Sequence, residues 1–197
     1  SKDGQRIAAL FDDLDNMVFV YDFELQQSQT FELYNPTFSE GVSTGTVLYA
    51  DALEFDITGQ TLMYDAFNQI ENNNGSLSEY WDVGFLEVWN NSTDQFTQGY
   101  ITKLFTALQD GISIGNPSFS KNSPYIVAFD YIENSQYAIL GVNIENGDVG
   151  LIYENSGLGY PNYSRTDQFL IYDNSWIFGD DIGVLQLNSN KITTVAN

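Results

Sequence analysis

The chain has 197 residues, of which 43% are hydrophobic and 15% aromatic, so it can bury a core and is not a disordered acidic tail. Its net charge of −21, from 27 acidic and six basic residues, excludes nucleic acids and anionic lipid surfaces as partners. Cysteine and histidine are absent, which excludes disulfides, thiolate metal sites and histidine-based catalytic triads. No segment reaches the roughly 18 apolar residues of a membrane span, so no membrane insertion is expected.

One motif recurs four times: a polar turn, then a hydrophobic strand, then an aspartate. The copies occupy residues 1–12, 55–65, 119–130 and 163–173. After the aspartate, each copy continues with a polar loop, a second apolar strand, a tight turn and an outer strand. Repeats with a period of about 40 to 50 residues are typical of arrays and propellers, and four short antiparallel strands describe a propeller blade.

The first copy predicts a strand that ends at Asp12, followed by strands at 17–23 and 30–33. It lacks an opening strand, because Ser1 corresponds to the serine that follows the aromatic residue in the third and fourth copies. We therefore expect the chain to begin inside a blade, as a fragment of a longer propeller.

The second copy is longer than the others, with later strands predicted at 83–89 and 101–104. Phe55 precedes the aromatic residue of the third copy by 64 residues, whereas the third and fourth copies are 44 residues apart. The excess is predicted to form a long loop around Asn68 to Tyr80. Such a loop either carries a binding function or is a solvated insertion without a role.

The third copy predicts strands at 138–144 and 149–153, joined by a two-residue hairpin at Asn146-Gly147 that needs positive φ at both positions. The fourth copy predicts strands at 182–187 and 192–195. The predicted fold class is thus all-β: a β-propeller segment of about four blades of four-stranded antiparallel sheets, with an incomplete first blade. The approximate blades are 1–45, 46–110, 111–156 and 157–197.

The repeats resemble those of TolB-like β-propellers, whose signature is Pro-x-aromatic-Ser-x-Asp-Gly-x-x-Ile-Ala-aromatic. Matching segments are Pro117-Ser118-Phe119-Ser120 with Ile126-Val127-Ala128-Phe129, Pro161-Asn162-Tyr163-Ser164 with Leu170-Ile171-Tyr172, and Ser1-Lys2-Asp3-Gly4 with Ile7-Ala8. The second copy departs from the signature at Asp56. The resemblance implies a fold and a bacterial periplasmic or cell-surface location. It spans scaffold proteins, serine peptidases and polysaccharide lyases, so it implies no single activity.

The candidate binding residues are Asp12, Asp65, Asp130 and Asp173, because each is predicted to end the same strand of its blade. A propeller would place all four on one face, where they could gather cations or a basic segment. The alternative is that each accepts hydrogen bonds from backbone amides in the turn that follows.

Two further sets of residues have open interpretations. Asp12-Asp13-Leu14-Asp15-Asn16 and Gly179-Asp180-Asp181 offer oxygen ligands for calcium, but neither has EF-hand spacing, and solvated loops are the alternative. Trp81, Trp89 and Trp176 either stack on sugar rings or pack between blades. No cofactor is otherwise expected.

The function predicted from sequence is that of a non-catalytic binding or scaffolding module of an exported bacterial protein, with a protein or carbohydrate partner. The alternative is the propeller domain of a hydrolase or lyase whose catalytic residues lie outside this segment. No catalytic residue is predicted within it.

Overall fold

A computed structural model describes residues 1–11, 14–36, 42–105, 111–174 and 181–187. These ranges contain β-strands and no helix, which confirms the all-β class. Every strand pairing within them is antiparallel. In the same part of the chain, no helix has the length and apolar character needed to cross a membrane.

The chain divides into two compact units, Ser1–Asp110 and Gly111–Asn197. The first unit contains the first sheet, with strand order β1-β2-β3, the second sheet, with order β4-β5-β6-β9, and the two-stranded ribbon β7-β8. Its strands are β1 Arg6–Phe11, β2 Leu14–Asp22, β3 Gln27–Glu32, β4 Val42–Phe55, β5 Thr61–Asn72, β6 Leu77–Glu87, β7 Trp89–Asn90, β8 Gln95–Phe96 and β9 Ile101–Lys103.

The second unit contains the third sheet, with order β10-β11-β12-β13, and the fourth sheet, with order β14-β15-β16. Its strands are β10 Ile112–Phe119, β11 Ile126–Glu133, β12 Gln136–Asn143, β13 Asp148–Asn155, β14 Asn162–Tyr163, β15 Phe169–Asp173 and β16 Ile182–Gln186. The outer strand predicted at 192–195 lies outside the described residues.

Each unit has a core between its sheets, built from alternate residues of the strands. In the first unit, Val18, Val20 and Phe31 of the first sheet belong to one buried cluster with Leu62 and Leu86 of the second. In the second unit, the corresponding cluster contains Ala128, Ile139, Tyr163, Leu170 and Tyr172. The period of two places Leu62, Tyr64 and Ala66 of β5 on the face that joins the first cluster, and the intervening Met63 and Asp65 are buried on the other face.

The predicted loop around Asn68 to Tyr80 is wrong, because these residues form the ends of the β5–β6 hairpin. Pairing continues from Thr61 opposite Glu87 to Glu71 opposite Leu77. The turn itself is short, with the Asn72 amide donating to the Ser76 carbonyl at 2.9 Å. Polar side chains occupy this strand segment, and cross-strand contacts such as the hydrogen bond from Gln69 Nε2 to Glu79 Oε1 (2.8 Å) support it.

The predicted two-residue turn at Asn146-Gly147 is also wrong. Asn143 pairs with Asp148, so the loop has four residues, and of Asn146 and Gly147 only Gly147 has positive φ, at 78°. The Gly147 amide donates to the Asn143 carbonyl at 2.8 Å and closes this wider turn. A two-residue hairpin occurs instead at Asn134 and Ser135, which have φ of 49° and 64° and join β11 to β12.

Candidate functional site

Asp65 lies inside β5 and is buried, with 2% of its surface exposed. Its Oδ1 accepts a hydrogen bond from the Ala52 amide at 2.8 Å. Ala52 falls in an irregular part of the β4–β5 pairing, between the pairs formed by Ala50 and Leu53. The carboxylate therefore satisfies a backbone amide that a bulge removes from the ladder.

Asp130 lies inside β11 and is equally buried. Its carboxylate accepts hydrogen bonds from the amides of Gly159 (2.9 and 3.0 Å) and Tyr160 (3.0 Å), and from Asn116 Nδ2 (2.8 Å). A Cβ atom on Gly159 would lie 2.7 Å from Ile139 Cδ1 and 3.0 Å from Asp130 Oδ1. Glycine is required here because backbone and carboxylate approach so closely.

Asp173 ends β15 and is half-buried. Its amide donates to the Gly159 carbonyl at 2.6 Å, and its carbonyl accepts from Asn155 Nδ2 at 2.9 Å. Gly159 is thus bonded through its amide to Asp130 and through its carbonyl to Asp173. Asp12, the fourth candidate, lies outside the described residues, and so do Asp13, Trp176, Gly179 and Asp180.

The expectation that the aspartates end equivalent strands is wrong for two of the three described. β5 continues beyond Asp65 to Asn72, and β11 continues beyond Asp130 to Glu133, because each strand keeps pairing with its neighbour past the aspartate. The amides that they bind are distant in sequence, 13 residues away for Asp65 and 29 for the first donor to Asp130. A binding role for the four aspartates stays a prediction.

The signature turn of the third repeat is tied to that of the fourth. Asp167 occupies the position of the signature glycine in the fourth repeat, with a φ of 56°, and its carboxylate accepts hydrogen bonds from Ser120 Oγ (2.7 Å) and from the Lys121 amide (2.7 Å). Ser120 Oγ in turn accepts from the amides of Asn122 (3.2 Å) and Ser123 (3.0 Å). A signature serine of the third repeat is therefore hydrogen-bonded to the turn of the fourth repeat.

Two of the three tryptophans fall within the described residues. Trp89 is buried against Phe96, at 5.1 Å between ring centroids, and the Arg6 guanidinium lies 4.0 Å from its centroid. Trp81 contacts Phe67 and Tyr49, with centroid distances of 5.5 and 5.4 Å. Trp89 thus packs against a residue of the neighbouring first sheet, as the second interpretation predicted, whereas the aromatic contacts of Trp81 lie within its own sheet.

The second sheet carries a buried ion pair on the face opposite to Trp81. Lys103 Nζ contacts the Asp82 carboxylate and hydrogen-bonds Asn35 Oδ1 (2.9 Å) and the Tyr80 hydroxyl (3.0 Å). Burial raises the pKa of Asp82 to about 6, against the opposing effect of Lys103. The adjoining cavity, about 10 Å³, holds at most about one water molecule, so this cluster offers no ligand site.

A ligand-sized cavity lies on one face of the third sheet. Its volume is about 600 Å³, and it is lined by β11, β12 and β13. Ala138, Leu140 and Leu151 form an apolar floor, in which Leu140 and Leu151 are cross-strand partners. Leu151 keeps 42% of its surface exposed, so the floor is open to solvent. We call this feature the third-sheet cavity.

Tyr131, Glu133 and Glu154 supply polar groups to the third-sheet cavity. Tyr131 and Glu154 both pair with Ala138, from the strands on either side of β12, so the side chains of Tyr131, Ala138 and Glu154 share one face of the sheet. Glu133 is two residues from Tyr131 and lies on the same face. The Tyr131 hydroxyl donates to Glu133 Oε2 at 3.1 Å. Burial and this hydrogen bond raise the pKa of Tyr131, which keeps its hydroxyl protonated at neutral pH.

No sequence motif singled out Tyr131, Glu133 and Glu154 as site residues. Two signals were available: the alternation of Tyr131 and Glu133 along a strand, and a short hairpin at Asn134-Ser135 that returns β12 alongside. Within the described part of the chain, no three acidic residues are grouped so as to hold a metal ion.

No protein-family model and no curated protein matches the sequence. Among solved structures, the chain is similar to the crystal structure of TolB from Acinetobacter baumannii, with a TM-score of 0.44 and 12% sequence identity. The match covers 94% of this chain and 50% of the TolB chain, so this chain spans about half the length of that protein.

Proposed function

We propose that the chain is a non-catalytic binding module of an exported bacterial protein, built as a β-propeller segment of about four blades. Four antiparallel sheets that follow the chain in sequence support the propeller, since a blade is such a meander of neighbouring strands. The link between Asp167 and Ser120 supports it further, because it joins the turns of consecutive repeats in the manner of an array.

The third-sheet cavity is the observation that carries the binding function. Ligand sites in proteins are concave, are mostly apolar and carry a few convergent polar groups, with volumes of roughly 300–1,000 Å³. The cavity matches this description in its volume of about 600 Å³ and in its leucine floor beside carboxylates and a tyrosine. The buried aspartates Asp65 and Asp130 are weaker candidates for ligand binding, because their carboxylates already accept backbone hydrogen bonds.

A binding screen with a cavity-filling variant tests this function. Labelled protein is applied to arrays of immobilised peptides and oligosaccharides, and Ala138→Trp is compared with the wild type. We expect the wild type to bind a subset of ligands and Ala138→Trp to lose at least about tenfold in affinity, since the indole would fill the floor of the cavity. Val184→Trp is the matched control, because Val184 is 61% exposed on another sheet of the same unit.

The two variants must first show wild-type circular dichroism and thermal unfolding. Ligand binding that both variants retain would contradict the assignment of the site to the cavity. Cleavage of arrayed peptides or oligosaccharides by the purified chain would contradict the non-catalytic assignment.

A further inference from the structure

The third-sheet cavity has a charge pattern that restricts its ligand. Glu154 is exposed and Glu133 is half-buried, and both carboxylates belong to the cavity lining. Among the described lining residues there is no lysine or arginine. The whole chain adds a field of net charge −21. An anionic ligand would therefore meet repulsion both locally and at long range, whereas a cation would be attracted.

The spacing of the two glutamates distinguishes between kinds of cation. Glu133 and Glu154 are two strands and two residues apart in the register of the sheet. With neighbouring strands about 4.8 Å apart and a rise of about 3.4 Å per residue, their Cα atoms are separated by about 12 Å. A calcium ion needs six to eight oxygen ligands at about 2.4 Å, and two carboxylates without a third acidic residue beside them, among the described residues, supply too few.

The apolar floor of the third-sheet cavity suits the aliphatic part of a basic side chain. Leu140, Leu151 and Ala138 lie on the same face as the two glutamates and offer contact to methylene groups. The methylene stem of a lysine or arginine side chain lies along apolar surface, while its charged end stays at a polar site. The ring of Tyr131 adds an aromatic face, which attracts a cation placed over it.

We propose that the third-sheet cavity binds the basic side chains of a peptide segment, with the arginine or lysine stems on the leucine floor and the cationic ends at Glu133 and Glu154. This inference rests on the proposed binding function and names its ligand class. Tyr131 positions one of the two carboxylates through its hydrogen bond to Glu133. The partner is thus a protein with a basic, extended segment.

Calorimetric titration with a designed peptide tests the proposal. The probe alternates arginine with glycine and serine over ten residues, and its control carries citrulline, a neutral isostere, at every arginine position. We expect the arginine peptide to bind at least about tenfold more tightly than the citrulline peptide. This comparison changes only the ligand, so it is independent of the folding of any variant.

A pair of charge-matched variants separates the cavity from the general field of the protein. The double variant Glu133→Gln, Glu154→Gln should bind the arginine peptide about tenfold more weakly than the wild type. The control double variant Glu87→Gln, Glu145→Gln removes the same charge from two exposed positions outside the cavity and should stay within about twofold of the wild type.

Three results would overturn the proposal: no binding of the arginine peptide, equal binding of the citrulline peptide, or equal weakening by both double variants. The arginine peptide could show no binding while the arrays show a neutral ligand whose binding is lost in Ala138→Trp. In that case the binding function is correct and the proposed cationic ligand is wrong. If no ligand depends on Ala138, both are wrong.

Discussion

At the scale of single residues, two of the three described aspartates that the repeat motif singled out, Asp65 and Asp130, accept hydrogen bonds from backbone amides. Asp130 shows this most fully, because its carboxylate satisfies two consecutive amides at Gly159 and Tyr160 as well as an asparagine side chain. Asp22 acts similarly at the end of β2, where it accepts from the amides of Glu24 (3.0 Å) and Leu25 (2.8 Å) and pairs with Arg6. Loss of such an acceptor leaves buried donors unsatisfied, which costs about 1–3 kcal/mol each.

Gly159→Ala tests this arrangement directly. The new methyl group would meet Ile139 Cδ1 at 2.7 Å and Asp130 Oδ1 at 3.0 Å, so Gly159 must move away from its hydrogen bonds. We expect a loss of about 1–3 kcal/mol in the free energy of unfolding, measured by urea denaturation. Gly157→Ala is the control, since a Cβ atom there meets nothing within 4 Å. Equal stability of the two variants would refute the role of the close approach.

The sequence predicted which aspartates recur but not what they contact. The motif places a carboxylate after a run of apolar residues, but Asp65 and Asp130 lie inside their strands and do not follow them. The hydrogen-bond donors come from a bulge and from the connection between repeats, and neither is visible in local sequence. Glu133 and Glu154 were missed because they occupy different strands, and only the register brings them to one face.

At the scale of elements, strand lengths depend on tertiary pairing more than on local composition. Asn68 to Asn72 has the polar composition of a loop, yet it pairs with β6 along its length. Aromatic cross-strand contacts offset the low strand propensity of asparagine, as with Phe67 opposite Trp81 at 5.5 Å. The positions of most second and outer strands were predicted correctly within a few residues, because they are rich in β-branched and aromatic side chains.

Asp82 should make the free energy of unfolding fall as the pH rises, which is opposite to the usual effect of a carboxyl group. Burial raises the folded-state pKa of Asp82 to about 6, from 3.8, so the folded state holds the proton more tightly than the unfolded state. Its contribution to stability is therefore complete below about pH 4 and is lost as the pH rises through 6. The free energy of unfolding of the wild type minus that of Asp82→Asn should fall by up to about 3 kcal/mol over this range.

Denaturant unfolding at constant ionic strength, from pH 4 to pH 7, measures this difference. Asp51→Asn, at an exposed position of β4, is the control and should give a smaller change. A difference that instead grows with pH would show that the attraction of Lys103 outweighs the cost of burying the Asp82 carboxylate.

At the scale of the whole molecule, the acidic composition has two opposing effects. The net charge of −21 opposes the compact state through self-repulsion among exposed carboxylates. The same field attracts a basic segment towards the third-sheet cavity and repels anions. The sequence alone predicted the sign of this field and the exclusion of polyanionic partners. It did not predict where a cation would be held, because the strand register determines that.

Added salt should therefore change stability and peptide binding in opposite directions. The Debye length falls from about 30 Å at 0.01 M to about 8 Å at 0.15 M, so screening relieves repulsion between surface carboxylates and also weakens long-range attraction of a cation. Between these two concentrations of sodium chloride we expect the unfolding temperature to rise by a few degrees and the affinity for the arginine peptide to fall severalfold. Differential scanning calorimetry and titration calorimetry at neutral pH measure the two quantities.

The citrulline peptide should show no such loss, because it carries no charge at those positions. An unfolding temperature that falls with salt would mean that attraction between exposed opposite charges outweighs the net repulsion.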